Sequence, residues 1–313
     1  MKLSIDLPLK MEKKLFLQNK GNKQAFIDML SDEMKREDIA VIRAEDDADL
    51  LIVQTAVRMS EYEKTFVIAE DTDILVLLCH HYKPGTSLFM KSEKSGMKKP
   101  LWNIQATCAS LGNQMCMYLP FLHALCGCDT TSGLHGIGKG CVLEAKKSDE
   151  LMRVGECFMS SSSSHEEIRD AGAKALICVY GGRDTTLNSL RRKMFGDKVA
   201  KSLKSVDIKR LPPTDAAAMY HSYRVYLQTQ IWVGNVALKP EDWGWTDQCG
   251  SMFPAKMDSR PAPDALLKIV RCKCSGYCDT LVCSCKKNGM YCTEFCGKCQ
   301  DGLCTNIPLD EFE

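Results

Sequence analysis

What this chain lacks narrows its function first. No apolar run approaches the roughly 20 residues of a membrane-spanning helix; stretches such as 74–79 are far shorter. The opening MKLSIDLPLKMEKK has no apolar segment of the kind that drives secretion. Aromatic residues make up only 7%. Formal net charge is +1, a balance that hides a segregation of charge along the chain. No phosphate-cradling Walker loop and no nucleophile elbow occur, which argues against P-loop NTPases and α/β-hydrolases. The first 265 residues carry no repeat, which argues against a solenoid. Histidines are few, and His80, His81 and His123 lie in apolar surroundings that suit packing. These absences describe an intracellular chain in a reducing compartment, with no membrane partner.

Cysteine is abundant. Of 18 cysteines, nine fall within 33 residues: Cys272, Cys274, Cys278, Cys283, Cys285, Cys292, Cys296, Cys299 and Cys304. The other nine are scattered and read as small buried hydrophobes. In a reducing compartment a dense cluster favours metal over disulfides. Zinc takes four thiolates in a structural site. Nine thiolates suffice for three ions if three sulfurs each bridge two metals; two separate four-cysteine sites with one cysteine to spare is the rival count. Nine thiolates with three Zn²⁺ leave a net charge of −3, which Lys268, Arg271, Lys273, Lys286, Lys287 and Lys298 can offset. So short a segment with few large apolar residues is expected to need its metal to fold.

Charge is segregated along the chain. Residues 37–73 hold eleven acids against three bases, and residues 183–210 hold nine bases against three acids. Either stretch can be a solvated helix face; together they can be an acidic metal site with a basic rim for a polyanion.

Hydrophobic periodicity predicts a helix over 21–36 with Phe26, Leu30 and Met34 on one stripe. A buried strand is expected at 39–43, a helix from Asp49 to Met59, and a strand at 66–69. A hairpin is expected from 87–91 and 101–104. Helical patterns follow over 105–118, 120–126, 138–147, 165–180, 185–204 and 215–233. The serine run 160–164 reads as a flexible link, and 250–265 as a linker. The stripe of Tyr220, Tyr223, Tyr226 and Trp232 reads as packing. At 313 residues about two domains are expected. The boundaries are 1–205 for an α/β core with helical extension, 206–269 for a helix and linker, and 270–306 for a cysteine module.

Three acidic spots could carry chemistry. Asp47 and Asp49 open a helix, Asp71 and Asp73 follow a strand, and Asp129 sits in LCGCDTTS ahead of Gly136, Gly138 and Lys139 in a GIGK turn. Carboxylates delivered to the carboxyl ends of strands can surround Mg²⁺ or Mn²⁺, and a metal pair can drive phosphodiester displacement. A glycine turn ahead of a helix can present N–H groups to phosphate. Each motif alone is also what an ordinary helix cap or turn requires.

In that order and spacing, residues 39–147 resemble the nuclease core of the flap endonuclease (XPG/PIN-like) superfamily. The resemblance implies an α/β, PIN-like three-layer core with a helical extension, Asp47, Asp49, Asp71, Asp73 and Asp129 as catalytic metal ligands, and a GIGK turn on the duplex backbone. The family's first strand has no counterpart here before Ile39. The segments LPFLHALCGCDTTS and LPPTDAA resemble a group of multicopy animal proteins associated with mobile elements. The tail is similar to the CXC module of tesmin-type chromatin proteins, which implies a small zinc-organised irregular module, DNA as partner, a nuclear location, and Lys286, Lys287 and Tyr291 as DNA contacts. Two functions follow as expectations: a metal-dependent, structure-directed DNA nuclease with a zinc-cluster tail, or a nucleic-acid or chromatin-binding protein that does not cleave.

Overall fold

A computed structural model describes residues 12–44, 47–93, 100–137, 140, 149–183, 186–201, 208–235, 238–257, 272–292, 296 and 304–306. It divides into two units, Met1–Ile52 and Val53–Glu313.

In the first unit, α1 (Lys13–Gln18) leads into α2 (Lys20–Arg36). The Asn19 side chain accepts from the Asn22 N–H and caps α2. The predicted helix is present, but Leu30 and Met34 of its apolar stripe are exposed. No strand forms at 39–43, and Ile39 and Ile42 are exposed. The short apolar pattern is there, but a strand is held by its neighbours, and among the described residues none pairs with it.

The second unit is mixed α/β, largely helical around a small sheet. Helix α3 (Asp49–Met59) enters it through Val53, Ala56 and Val57, all buried. Strand β1 (Thr65–Ile68) is followed by α4 (Thr72–His81), β2 (Leu88–Lys91) and β3 (Leu101–Asn103). The order is β1-β2-β3, with β1 parallel to β2 and β2 antiparallel to β3. Parallel neighbours need a crossover, and α4 supplies it. The hairpin predicted from 87–91 and 101–104 is β2–β3.

The sheet is followed by helices: α5 (Ile104–Leu111), α6 (Asn113–Cys126), α7 (Asp149–Met159), α8 (His165–Val179), α9 (Leu187–Lys201) and α10 (Asp215–Val233). The sequence pattern placed a helix break before Pro120; the break falls instead at Gly112, whose φ of 86° ends α5. Pro120 lies inside α6. A proline has no N–H, so it orphans the carbonyl four residues back, that of Cys116. His80 of α4 fills the gap: its Nδ1–H donates to the Cys116 carbonyl at 3.2 Å. This helix–helix bond lets a proline-containing helix run through the core.

Helices α6, α7, α8 and α10 share one core with the sheet, through Phe121, Phe158, Ile168, Leu176 and Tyr226 among others. The aromatic stripe of α10 packs as predicted: Tyr226 and Trp232 are buried, and the Tyr226 hydroxyl donates to the Ser160 carbonyl at 2.9 Å. The serine run is a capped turn rather than a slack link. Ser164 and Glu167 form a reciprocal capping box at the start of α8, and Ser163 donates to the Cys157 carbonyl at 2.8 Å. Residues 245–254, expected in part as linker, form a hairpin of β4 (Trp245–Gln248) and β5 (Ser251–Pro254). Cys249 and Gly250 both have positive φ, the geometry of a two-residue hairpin turn. Among the scattered cysteines, Cys79, Cys108, Cys116 and Cys126 are buried as expected, Cys126 in a disulfide, whereas Cys249 is exposed in the turn between β4 and β5. No described helix is long and apolar enough to cross a membrane.

Candidate metal centre and the acidic positions

The cysteine module has a core of its own, made of sulfur. Cys272, Cys278, Cys283, Cys285, Cys292, Cys296 and Cys304 are buried together, with Cys274 packed against them; Cys299 lies outside the described residues. Among the described residues of the module, one short helix, α11 (Ser284–Lys287), follows Cys283. Hydrogen bonds at the edge fix the rest. The Cys292 N–H donates to the Asn306 carbonyl at 2.7 Å, and Asn306 Nδ2 donates to the Met290 carbonyl at 2.9 Å and to Cys292 Sγ at 3.6 Å.

Sulfur spacing identifies what this core can hold. Sγ–Sγ distances are 4.0 Å for Cys272–Cys278, 3.9 Å for Cys272–Cys292, 3.8 Å for Cys283–Cys292 and 3.4 Å for Cys285–Cys296. A tetrahedral zinc with Zn–S of about 2.3 Å sets its sulfurs about 3.8 Å apart. Two foursomes have all four sulfurs within 4.8 Å of one another: Cys272, Cys278, Cys283, Cys292 and Cys272, Cys285, Cys292, Cys296. They share Cys272 and Cys292, so these two foursomes cannot each hold an ion without a common sulfur.

Electrostatics point the same way. Burial pushes the thiols of Cys278, Cys285 and Cys292 far up, and neighbouring thiols push Cys285 further. At Cys283 burial also opposes ionisation, but the backbone N–H groups of Lys286 and Cys285 and the thiols of Cys278 and Cys292 outweigh it and bring the group down to about 7. A buried knot of thiols that resists ionisation alone becomes a stable set of thiolates when a soft cation sits among them. The donor set fits zinc.

The carboxylates are placed differently. Asp47 is exposed, with Oδ1 accepting from the Asp49 N–H at 3.3 Å; Asp49 opens α3. Asp71 is exposed and caps α4, accepting from the Asp73 N–H at 3.0 Å. Asp73 turns inward: it is buried, and His123 Nε2 donates to its Oδ1 at 2.6 Å. Asp129 is exposed in the turn after α6, which Thr131 pins by donating to the Ala124 carbonyl at 2.7 Å. Among the described residues, the groups of three or more metal-capable side chains within 4.8 Å consist of cysteines alone. Asp71, Asp73 and Asp129 are not among those groups. Gly136 takes a positive φ of 80° in a turn, while Gly138, Lys139 and the helix expected over 138–147 lie outside the described residues, apart from Gly140.

Lys287 and Tyr291 are exposed beside the sulfur core and Lys286 is half-buried. Sequence reading missed the Asp73–His123 pair: the apolar setting of His123 suggested packing, and nothing local marks a partner 50 residues away. No family model, curated protein or solved structure matches the chain.

Proposed function

We propose that this chain is a nucleic-acid-binding protein that does not cleave its ligand, and that its binding surface is carried by the cysteine module folded around zinc. The observation that carries the reading is the inside-out division of that module. Its sulfurs are buried, while Lys273, Tyr277, Lys287 and Tyr291 of the same short segment face solvent. Lysines neutralise phosphates and tyrosines add flat, hydrogen-bonding contact area. The shared sulfurs support a bridged cluster, and nine cysteines support three zinc ions. DNA is the proposed ligand, and a nuclear location follows from that role.

The division of the acids favours binding over cutting. A two-metal nuclease centre needs several carboxylates free to turn toward Mg²⁺ or Mn²⁺. Asp73 is engaged by His123, and Asp71 by the N-terminus of α4. The test is to incubate zinc-loaded full chain with labelled duplex, flap and single-stranded DNA, with and without Mg²⁺ or Mn²⁺. The expected result is salt-sensitive binding without cleavage, unchanged in Asp71→Ala and Asp129→Ala. Metal-dependent cleavage abolished by those substitutions would restore the nuclease reading.

A further inference from the structure

A cavity of about 490 Å³ opens beside the first half of α10, between the loop after α6, helix α9 and the turn Ile208–Arg210. That volume lies in the range of small-ligand sites. Its described lining includes Arg191, Lys209 and Arg224 and contains neither Asp nor Glu. A second hollow, sharing His135 and Tyr180 with the first, adds Lys198 and Arg210, again with no described carboxylate.

Two buried side chains one turn apart on α10 border the cavity, one a cation and one with an unsatisfied ring nitrogen. Arg224 is 7% exposed, and NH1 donates to the Gly244 carbonyl at 3.2 Å. A guanidinium has five N–H donors. Burial lowers its pKa and no acid opposes that. Arginine nonetheless stays charged, so this is a buried cation without a described anion. His221 is 4% exposed, and its Nε2–H donates to the Leu125 carbonyl at 3.0 Å. That bond fixes the proton on Nε2 and leaves a bare lone pair on Nδ1. Nδ1 is buried and has no hydrogen-bond partner. Burial foremost, with Arg224 adding to it, holds the imidazole down to about 4, so it is a neutral acceptor at pH 7. Thr214 and Ala217, at the N-terminus of α10, also line the cavity, and that end of the helix favours negative charge.

The geometry points to a binding site for an organic phosphate of nucleotide size: its phosphate on Arg224, Arg191 and Lys209, and a hydroxyl or amino group of the same molecule donating to His221 Nδ1. Three cations and a helix N-terminus suit a dianionic phosphate better than a single carboxylate charge. Tyr180 and Tyr220 offer ring faces for a planar group. The site is separate from the cysteine module and does not rest on how that module is read. The phosphate could belong to a free nucleotide or to the 5′ end of a strand.

The test is calorimetric titration of the zinc-loaded full chain with AMP, with adenosine as the uncharged control and a 5′-phosphorylated oligonucleotide as competitor. Saturable AMP binding is expected, with adenosine at least about tenfold weaker. Lys209→Gln, on the exposed rim, weakens AMP several-fold with unchanged thermal unfolding, and Arg224→Gln weakens it further. In protein labelled with ¹⁵N-histidine, AMP shifts the His221 Nδ1 resonance, a readout that serves even if Arg224→Gln fails to fold. Competition by the oligonucleotide identifies a strand end; its failure identifies a free nucleotide, and either supports the site. No saturable AMP binding by the folded chain up to ~10 mM, equal binding of AMP and adenosine, or an unshifted His221 overturns it.

Discussion

The Asp73 carboxylate and the His123 imidazole meet in the core, His123 Nε2 donating to Asp73 Oδ1 at 2.6 Å, one from the first turn of α4 and the other from the last turn of α6. Both are buried, and Trp232 packs over the histidine ring at 5.8 Å between centroids. The bond ties two core helices together. Breaking a buried pair by removing one partner typically costs about 3–5 kcal/mol. Asp73→Ala is therefore expected to lower the urea-unfolding free energy by about that amount while leaving zinc content unchanged. A change within error would show that the pair contributes nothing.

The bond from His80 to the carbonyl orphaned by Pro120 predicts non-additivity. His80→Ala in the native background leaves the Cys116 carbonyl unsatisfied and is expected to cost about 1–3 kcal/mol. With Pro120→Ala the backbone N–H returns, and His80→Ala is expected to cost less. A double-mutant cycle by denaturant unfolding measures the coupling; additive costs would sever the two residues.

Acid should destabilise the fold through His221. Its folded-state pKa, about 4, lies below the ordinary 6.5 because the ring is buried and Arg224 stands beside it. The unfolded chain therefore binds more protons between those values. Stability is full above about pH 6.5 and falls as pH drops toward 4, by on the order of 3 kcal/mol from this group. His80, lowered by burial and by His81, acts in the same direction. Unfolding free energies measured between pH 7 and pH 4 test the slope, and His221→Gln should flatten it.

Sharing of sulfurs predicts unequal losses of metal. Cys272 and Cys292 belong to both foursomes, Cys278 and Cys283 to one. Cys272→Ser is expected to lower the bound zinc by about two ions and Cys278→Ser by about one, read by elemental analysis of folded protein. Equal losses would favour separate sites.

How much of this was legible in the sequence depended on how local the determinant was. The helices over 49–59, 165–180 and 215–233 were readable because apolar spacing and caps such as Thr214 lie within them. The metal centre was readable because its ligands are a residue type with few other reasons to cluster. Three features were not. The strand expected at 39–43 has the right composition, but pairing is decided by a neighbouring strand. Pro120 reads as a breaker unless one knows that His80 will replace the missing donor. The bond between Asp73 and His123 has no local signal, since the partners lie 50 residues apart. Each depends on a partner distant in sequence, which local pattern does not encode.

If zinc-folded cysteines present lysines to nucleic acid, as proposed, DNA binding must depend on salt through those lysines. Fluorescence polarisation with a labelled duplex, repeated across salt concentrations, gives a slope of about −0.9 per phosphate neutralised. For Lys286→Gln/Lys287→Gln with zinc content intact, the slope should become shallower by about 1.8, and chelation of zinc should abolish binding in the parent chain. An unchanged slope in the double variant, or full binding after zinc is removed, would contradict the account.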